Sequence, residues 1–211
     1  MVSRIRDQIE GLITDGTLPS GSHVVESALA LRLGTSRGLI REACRALVEA
    51  GLLVAYPNRG CFVREISLRD AVELYDVRAA LGRLAGTTLA EHITEPQLAE
   101  LAQLVAAMEE AGAKRDLQRF HDINAAFHDR IIAFSGNRRL QALHAALLKE
   151  LSISRRRQIF GGGGIATANA EHREIYAAFA ARDPARAGEL LERHIRGAKL
   201  RFLEAMGREE S

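Results

Sequence analysis

The stretch GTSRGLIREACRALVEAGLLVAYPNRGCFVR, residues 34–64, decides how the chain reads. Gly34 suits the stop of a preceding helix. Thr35 or Ser36 then caps a new helix that runs to about Ala50, where Gly51 ends it. Within that helix Arg37, Arg41 and Arg45 recur every four residues and so share one face. Ile40, Cys44, Leu47 and Val48 fall on the opposite face and suit burial. Leu52–Tyr56 and Cys61–Arg64 read as two strands, joined by a turn of Pro57, Asn58, Arg59 and Gly60.

Upstream, Val2, Ile5, Ile9, Leu12 and Ile13 recur at helical spacing, and Asp15–Gly21 reads as a loop. A second helix fits Val25 to Leu33, which leaves His23 in the loop before it. The order helix, helix, tight turn, helix, hairpin is that of a winged helix-turn-helix, here residues 1–66. Three arginines on one face also fit a plain solvated helix. The glycine turn and the hairpin with Arg59–Gly60 at its tip favour nucleic acid. A helix enters the major groove, where Arg pairs with guanine or phosphate. Arg37 and Arg41, near the helix start, are the better placed to reach bases. Ser36 offers a hydroxyl and a backbone N–H to phosphate, whereas Arg45 can equally pair with Glu42, Glu49 or an acid of the first helix. At the wing tip, Gly60 lets backbone approach a minor groove beside Arg59.

Downstream the hairpin signals stop. Amphipathic segments fit 68–92, 95–112, 116–134, 138–158, 165–181 and 184–207, separated by Thr94–Pro96, Gly112, Ser135–Gly136, Gly161–Gly164 and Asp183–Pro184. Six helices with short links predict an antiparallel bundle over 67–211. The fold class is therefore mostly α, a winged helix-turn-helix followed by a helical bundle. Arg155–Arg157 reads as a solvated basic run on the fourth bundle helix. Gly161–Gly164 reads as a loop and not a phosphate cradle, because no strand precedes it and no Lys–Ser/Thr follows.

Composition agrees with these assignments. The 211 residues are 47% hydrophobic, so a core can form, and carry a net charge of only +2, so any nucleic-acid surface must be local. Four prolines and abundant Ala, Leu and Arg lean towards helix. Cys44 and Cys61 form no CxxC pair, which disfavours a secreted disulfide framework. Arg4, Arg6 and Asp7 break any early apolar run, and no stretch approaches the ~20 apolar residues of a membrane span. The expectation is a cytoplasmic protein without a membrane partner.

Seven histidines are scattered along the chain. His92, His121 and His144 read as ordinary polar or interfacial residues. His128, His172 and His194 form a set, with Asn124 one helical step before His128. If the helices of His172 and His194 pack as an antiparallel pair, their imidazoles can meet. Three imidazoles and one oxygen can hold a divalent metal. Asn supplies a neutral carbonyl oxygen, and neither Asp122 nor Asp129 shares the His128 face. A metal-dependent hydrolase is an alternative, but its general base is not evident, since Glu171 points about 100° away from His172 on a helix.

The N-terminal residues resemble the GntR-type regulators. Leu18–Gly21, Glu26, Leu29–Ala30, Leu33–Arg37, Arg41–Ala43, Leu47, Gly51–Leu53 and Arg59–Val63 follow that signature. Ser27 and Gly38–Ile40 depart from it. The resemblance implies operator contacts by Arg37 and Arg41 and a wing glycine, Gly60, in the minor groove. Residues 68–207 resemble the FCD ligand-binding domain of the FadR subgroup, through Tyr75, Arg78, Asn124–Asp129, Glu171–His172 and His194. That resemblance implies a metal at Asn124, His128, His172 and His194, zinc with nickel or manganese as alternatives. It also implies a small carboxylate effector held with help from Arg78 and Tyr75. Many members have Asp at the position of Asn124, and Glu at that of Gly82. The expected function is a transcriptional regulator, a homodimeric repressor on double-stranded operator DNA, and not an enzyme. A metal-free regulator that senses acyl groups or other small molecules is the alternative.

Overall fold

The structure, a computed structural model, describes residues 1–153 and 164–209. In chain order the elements are α1 Val2–Thr14, β1 His23–Val24, α2 Glu26–Arg32, α3 Arg37–Glu49, β2 Leu53–Tyr56, β3 Gly60–Val63, α4 Leu68–His92, α5 Glu95–Ala113, α6 Leu117–Phe134, α7 Arg138–Ile153, α8 Ile165–Ala180 and α9 Pro184–Glu209. They form two compact units. The first holds Met1–Ala71 and the end of α7 from Ala146; the second begins at Val72. No helix among the described residues is long and apolar enough to cross a membrane.

In the first unit, α1 buries Ile5, Ile9 and Ile13, spaced by four, against Ile40, Ala43, Cys44 and Leu47 of α3. Each fully buried Ile or Leu stabilises by about 1.5–3 kcal/mol, so this stripe fixes which face of α3 is left outside. Ser36 caps α3 by accepting from the Leu39 N–H at 3.3 Å. The helix stops where Gly51 takes φ 75°. There Leu52 N–H donates to the Leu47 carbonyl, closing the last turn. The antiparallel sheet has the order β1-β3-β2, with Leu53 opposite Val63 and Tyr56 opposite Gly60. His23 is not a loop residue: it lies in β1, opposite Phe62. A two-residue strand is too short to show periodicity, so the sequence reading missed it. Ion pairs Glu10–Lys149 and Arg64–Glu150, both 2.9 Å, hold the end of α7 in this unit.

The second unit centres on Phe127, Phe179, Leu101, Met108 and Ile131. Thr94 and Gln97 form a capping box at the start of α5, and Asp116 caps α6 by accepting from the Arg119 N–H. Glycines let α4 and α9 approach closely. A Cβ at Gly86 would stand 2.8 Å from the Ala187 carbonyl oxygen, and one at Gly188 3.0 Å from that of Arg83. Gly82 belongs to the same contact, because a Cβ there would meet Ile195 Cδ1 at 2.5 Å. The expected bundle helices therefore form, with bounds within about two residues of expectation; the expected end of α7, at 154–158, lies outside the described residues. Arg155–Arg157 and Gly161–Gly163 lie outside the described residues; Gly164 is the N-cap of α8.

Candidate functional site

Two groups of polar side chains stand out, one in each unit. On α3, Arg37, Arg41 and Arg45 are all exposed, as burial of the Ile40–Ala43–Cys44–Leu47 stripe requires. Arg41 is not isolated. Its Nε and Nη2 donate to the Glu26 carboxylate on α2, with the closest contact at 2.9 Å. That hydrogen bond, aided by Arg37 and Arg45, holds the Glu26 carboxyl below its ordinary range despite some desolvation. An arginine has five N–H donors, so Arg41 keeps others for a ligand. The Ser36 hydroxyl accepts from α3, which leaves its own proton to donate outward.

The wing tip is built by Asn58 and Gly60, both with positive φ, 60° and 86°. Arg59 rests its guanidinium 5.6 Å from the Tyr56 ring and 5.7 Å from Phe62, a cation–π contact that aims it along the hairpin. Gly60 is required twice over. Its backbone is left-handed, and a Cβ would meet His23 Nε2 at 2.9 Å. Between wing and α3 lies an open groove of about 270 Å³, lined by Arg37, Arg41, Glu26, Ser27, His23 and Gly60 among others.

In the second unit, α6, α8 and α9 bring His128, His172 and His194 together. Their ligand atoms lie within 4.8 Å of one another. The His172 and His194 rings are 4.6 Å apart between centroids, and His128 Nε2 stands 3.1 Å from His194 Nε2. Burial holds His128 and His172 well below the ordinary histidine range, with neighbouring imidazoles adding to the effect. Burial also lowers His194, although Glu171 opposes it. All three are neutral bases at physiological pH. Asn124 sits one turn before His128 on α6, half-buried.

His172 is wholly buried, and neither of its ring nitrogens has a hydrogen-bond partner among the described residues. An unsatisfied buried polar group costs about 1–3 kcal/mol, which a bound cation would offset. Zinc–imidazole bonds of about 2.0–2.1 Å in a tetrahedral set put the nitrogens about 3.3 Å apart. The donors present therefore fit a divalent metal after a modest inward shift.

Arg78 lies beside this cluster. With Gly82, His128, Ile131, Ile132, His144, Leu191 and Ile195 it lines a cavity of about 10 Å³, room for one water-sized group. Tyr75 is not in that wall. It is buried beneath Arg78, 5.2 Å from the guanidinium carbon, and packs on Phe202. Two residues were given other places by the sequence reading. His144 is not an interfacial side chain: it is buried in the cavity wall, where desolvation and the Arg78 charge push its pKa down to about 4. Glu171 accepts from His194 Nδ1 at 2.7 Å. Spacing along one helix hides both, because each acquires its neighbours only when other helices pack against it.

Comparison with known proteins gives three kinds of likeness. Residues 1–63 match the bacterial regulatory proteins of the gntR family, and residues 73–197 match the FCD domain. The chain is similar to the probable D-xylose utilization operon transcriptional repressor of Paenarthrobacter nicotinovorans, 31% identical over 92% of this chain and 85% of that protein. It is similar to the HTH-type transcriptional regulator YdhC of Bacillus subtilis, 30% identical over 81% of this chain and 76% of that one. The solved structure of Escherichia coli McbR/YncC shares the fold, with TM-score 0.77 at 20% identity over 96% of this chain and 97% of that one.

Proposed function

Because this chain belongs to the gntR family of bacterial transcriptional regulators and carries an FCD domain, we propose a homodimeric repressor whose grip on operator DNA is set by a small carboxylate at a metal site. The chain is a transcriptional regulator, and its family and relatives are not enzymes, which removes the hydrolase alternative.

The reading heads are Arg37 and Arg41 with Ser36 and Arg45 on α3, and Arg59 and Gly60 at the wing. Two such heads related by a dimer axis suit a palindromic operator. The metal ligands are His128, His172, His194 and Asn124. Three imidazoles and an amide oxygen suit zinc or nickel better than manganese, which prefers oxygen-rich sites. Bound there, the metal supplies a Lewis-acidic centre for an effector carboxylate, and Arg78 supplies the matching fixed charge. The observation that carries this reading is His172, fully buried beside two further imidazoles, with neither nitrogen hydrogen-bonded among the described residues.

Regulation follows as linkage: an effector that prefers one arrangement of the bundle shifts the population that binds DNA. The test is selection of bound duplexes from a randomised pool, followed by binding titrations with metal-free and zinc-loaded protein. The expected result is an enriched palindrome, bound with a steep salt dependence and lost in Arg37→Ala/Arg41→Ala. No enrichment, or a salt-independent affinity, overturns it.

A further inference from the structure

We propose that Glu171 is the charged positioning residue of the histidine site: it fixes the tautomer of His194 and supplies, through that ring, the negative charge that Asn124 does not. The inference rests on reading the cluster as a metal site.

Glu171 lies on α8 immediately before His172, yet its carboxylate turns to α9. Its Oε2 is 2.7 Å from His194 Nδ1. Arg201, about two turns further along α9, reaches the same carboxylate from the other side, Nη2 to Oε2 at 3.2 Å and Nη1 to Oε1 at 3.4 Å. Both acid and guanidinium are largely shielded, with 19% and 22% of their side chains exposed. Gly197 keeps the passage between them open, since a Cβ there would stand 3.3 Å from Glu171 Oε1 and 3.2 Å from Arg201 Nη1.

An ionised carboxylate only accepts hydrogen bonds, so the proton of the 2.7 Å contact belongs to His194 Nδ1. Neutral His194 then has its lone pair on Nε2, the atom that faces His128 Nε2 at 3.1 Å. In the metal-free protein His128 donates into that lone pair. The chain of contacts is therefore polarised in one direction, from His128 through His194 to Glu171, with Arg201 anchoring its negative end. A carboxylate behind a ligating imidazole orients the ring and raises its basicity, and loss of such a partner typically costs 10- to 100-fold in metal affinity. Here the effect has added weight. Three imidazoles and an asparagine amide are all neutral donors, so the charge that offsets a dication must come from outside the ligand set. Glu171 is a carboxylate hydrogen-bonded to a member of the cluster.

Cobalt(II), which absorbs in the visible when bound, is the probe. The full-length metal-free chain is titrated with it, and affinity is obtained by competition with a chelator. The native chain is expected to bind one ion. Glu171→Gln retains an acceptor for Nδ1 but no charge, and is expected to bind about 10-fold more weakly; Glu171→Ala loses both, and about 100-fold is expected. Asn124→Asp placed in the Glu171→Gln background is expected to recover most of the loss, a rescue that general structural damage would not allow. Thermal unfolding of the metal-free variants shows that each is folded. Cobalt binding by Glu171→Gln as tight as by the native chain, or absence of rescue by Asn124→Asp, overturns the role of Glu171 and leaves the metal site standing. Absence of cobalt uptake by the native chain overturns the metal-site reading, and the role of Glu171 with it.

Discussion

The arginine row of α3 and the histidine cluster of α6, α8 and α9 are both sets of basic side chains, placed in opposite environments. The arginines stand in water, permanently charged, spaced by one helix and held outward because the other face of α3 is buried. The histidines are buried or nearly so and neutral, and are gathered from three helices. An exposed cation costs little to maintain and attracts a polyanion over a Debye length of about 8–10 Å. A buried imidazole with no partner is costly to maintain and binds only what reaches it. On the reading proposed above, the first region meets long polyanionic DNA and the second a small, tightly held ion.

Acid should separate the two regions most strongly. The folded-state pKa of His144 is lowered to about 4, so its neutral form is favoured in the folded protein. Its contribution is therefore fully present above the unfolded value of about 6.5 and is lost as pH falls towards 4, up to about 3 kcal/mol in all. Denaturant titrations of the metal-free protein at intervals from pH 7.5 to 4 should show this loss, and His144→Leu should show less of it. Equal pH profiles for the two proteins would mean that His144 is not held neutral by burial. The arginines do not titrate in this window.

Replacing His172 with Leu should have the opposite sign from most core substitutions. It removes an unsatisfied buried polar group and should raise metal-free stability by about 1–3 kcal/mol while abolishing metal uptake. A lower melting temperature would show that the imidazole is a satisfied core residue, and the distinction between the regions would weaken.

The arginine face answers to a different measurement. Arg41→Ala should weaken operator binding by about 10- to 100-fold and leave thermal unfolding nearly unchanged, since its side chain is exposed. Unchanged affinity would remove Arg41 from the reading face. The smallest effect is expected from Glu26→Gln. It frees Arg41 from an exposed pair and should alter operator affinity by less than about fivefold, read in the same binding titration. A larger loss would make Glu26 the residue that aims Arg41.

These two regions also differ in how far the sequence reveals them. Arg37, Arg41 and Arg45 were legible because steps of four on one helix define a face without reference to anything else. The same holds for the glycine stops at Gly34 and Gly51 and for the bounds of α4. His128, His172 and His194 could be grouped by residue type and by supposing an antiparallel α8–α9 pair. Their convergence depends on three helices packing, and spacing within one helix does not encode that. Glu171 is the clearest case. Its position beside His172 argued against a shared site, yet its side chain meets His194 on the neighbouring helix. Gly82, a departure from the resembled family when read as sequence, has a packing reason in the Ile195 contact. β1 escaped notice because two residues have no period.

The central claim is that the buried histidine cluster is a metal site on a DNA-binding regulator, and metal content tests it most directly. Elemental analysis of the full chain, after incubation with zinc or nickel and removal of excess ion, should give close to one metal per chain for the native protein and none for His172→Leu. A native chain that retains no metal, or a variant that retains as much as the native protein, would contradict the account.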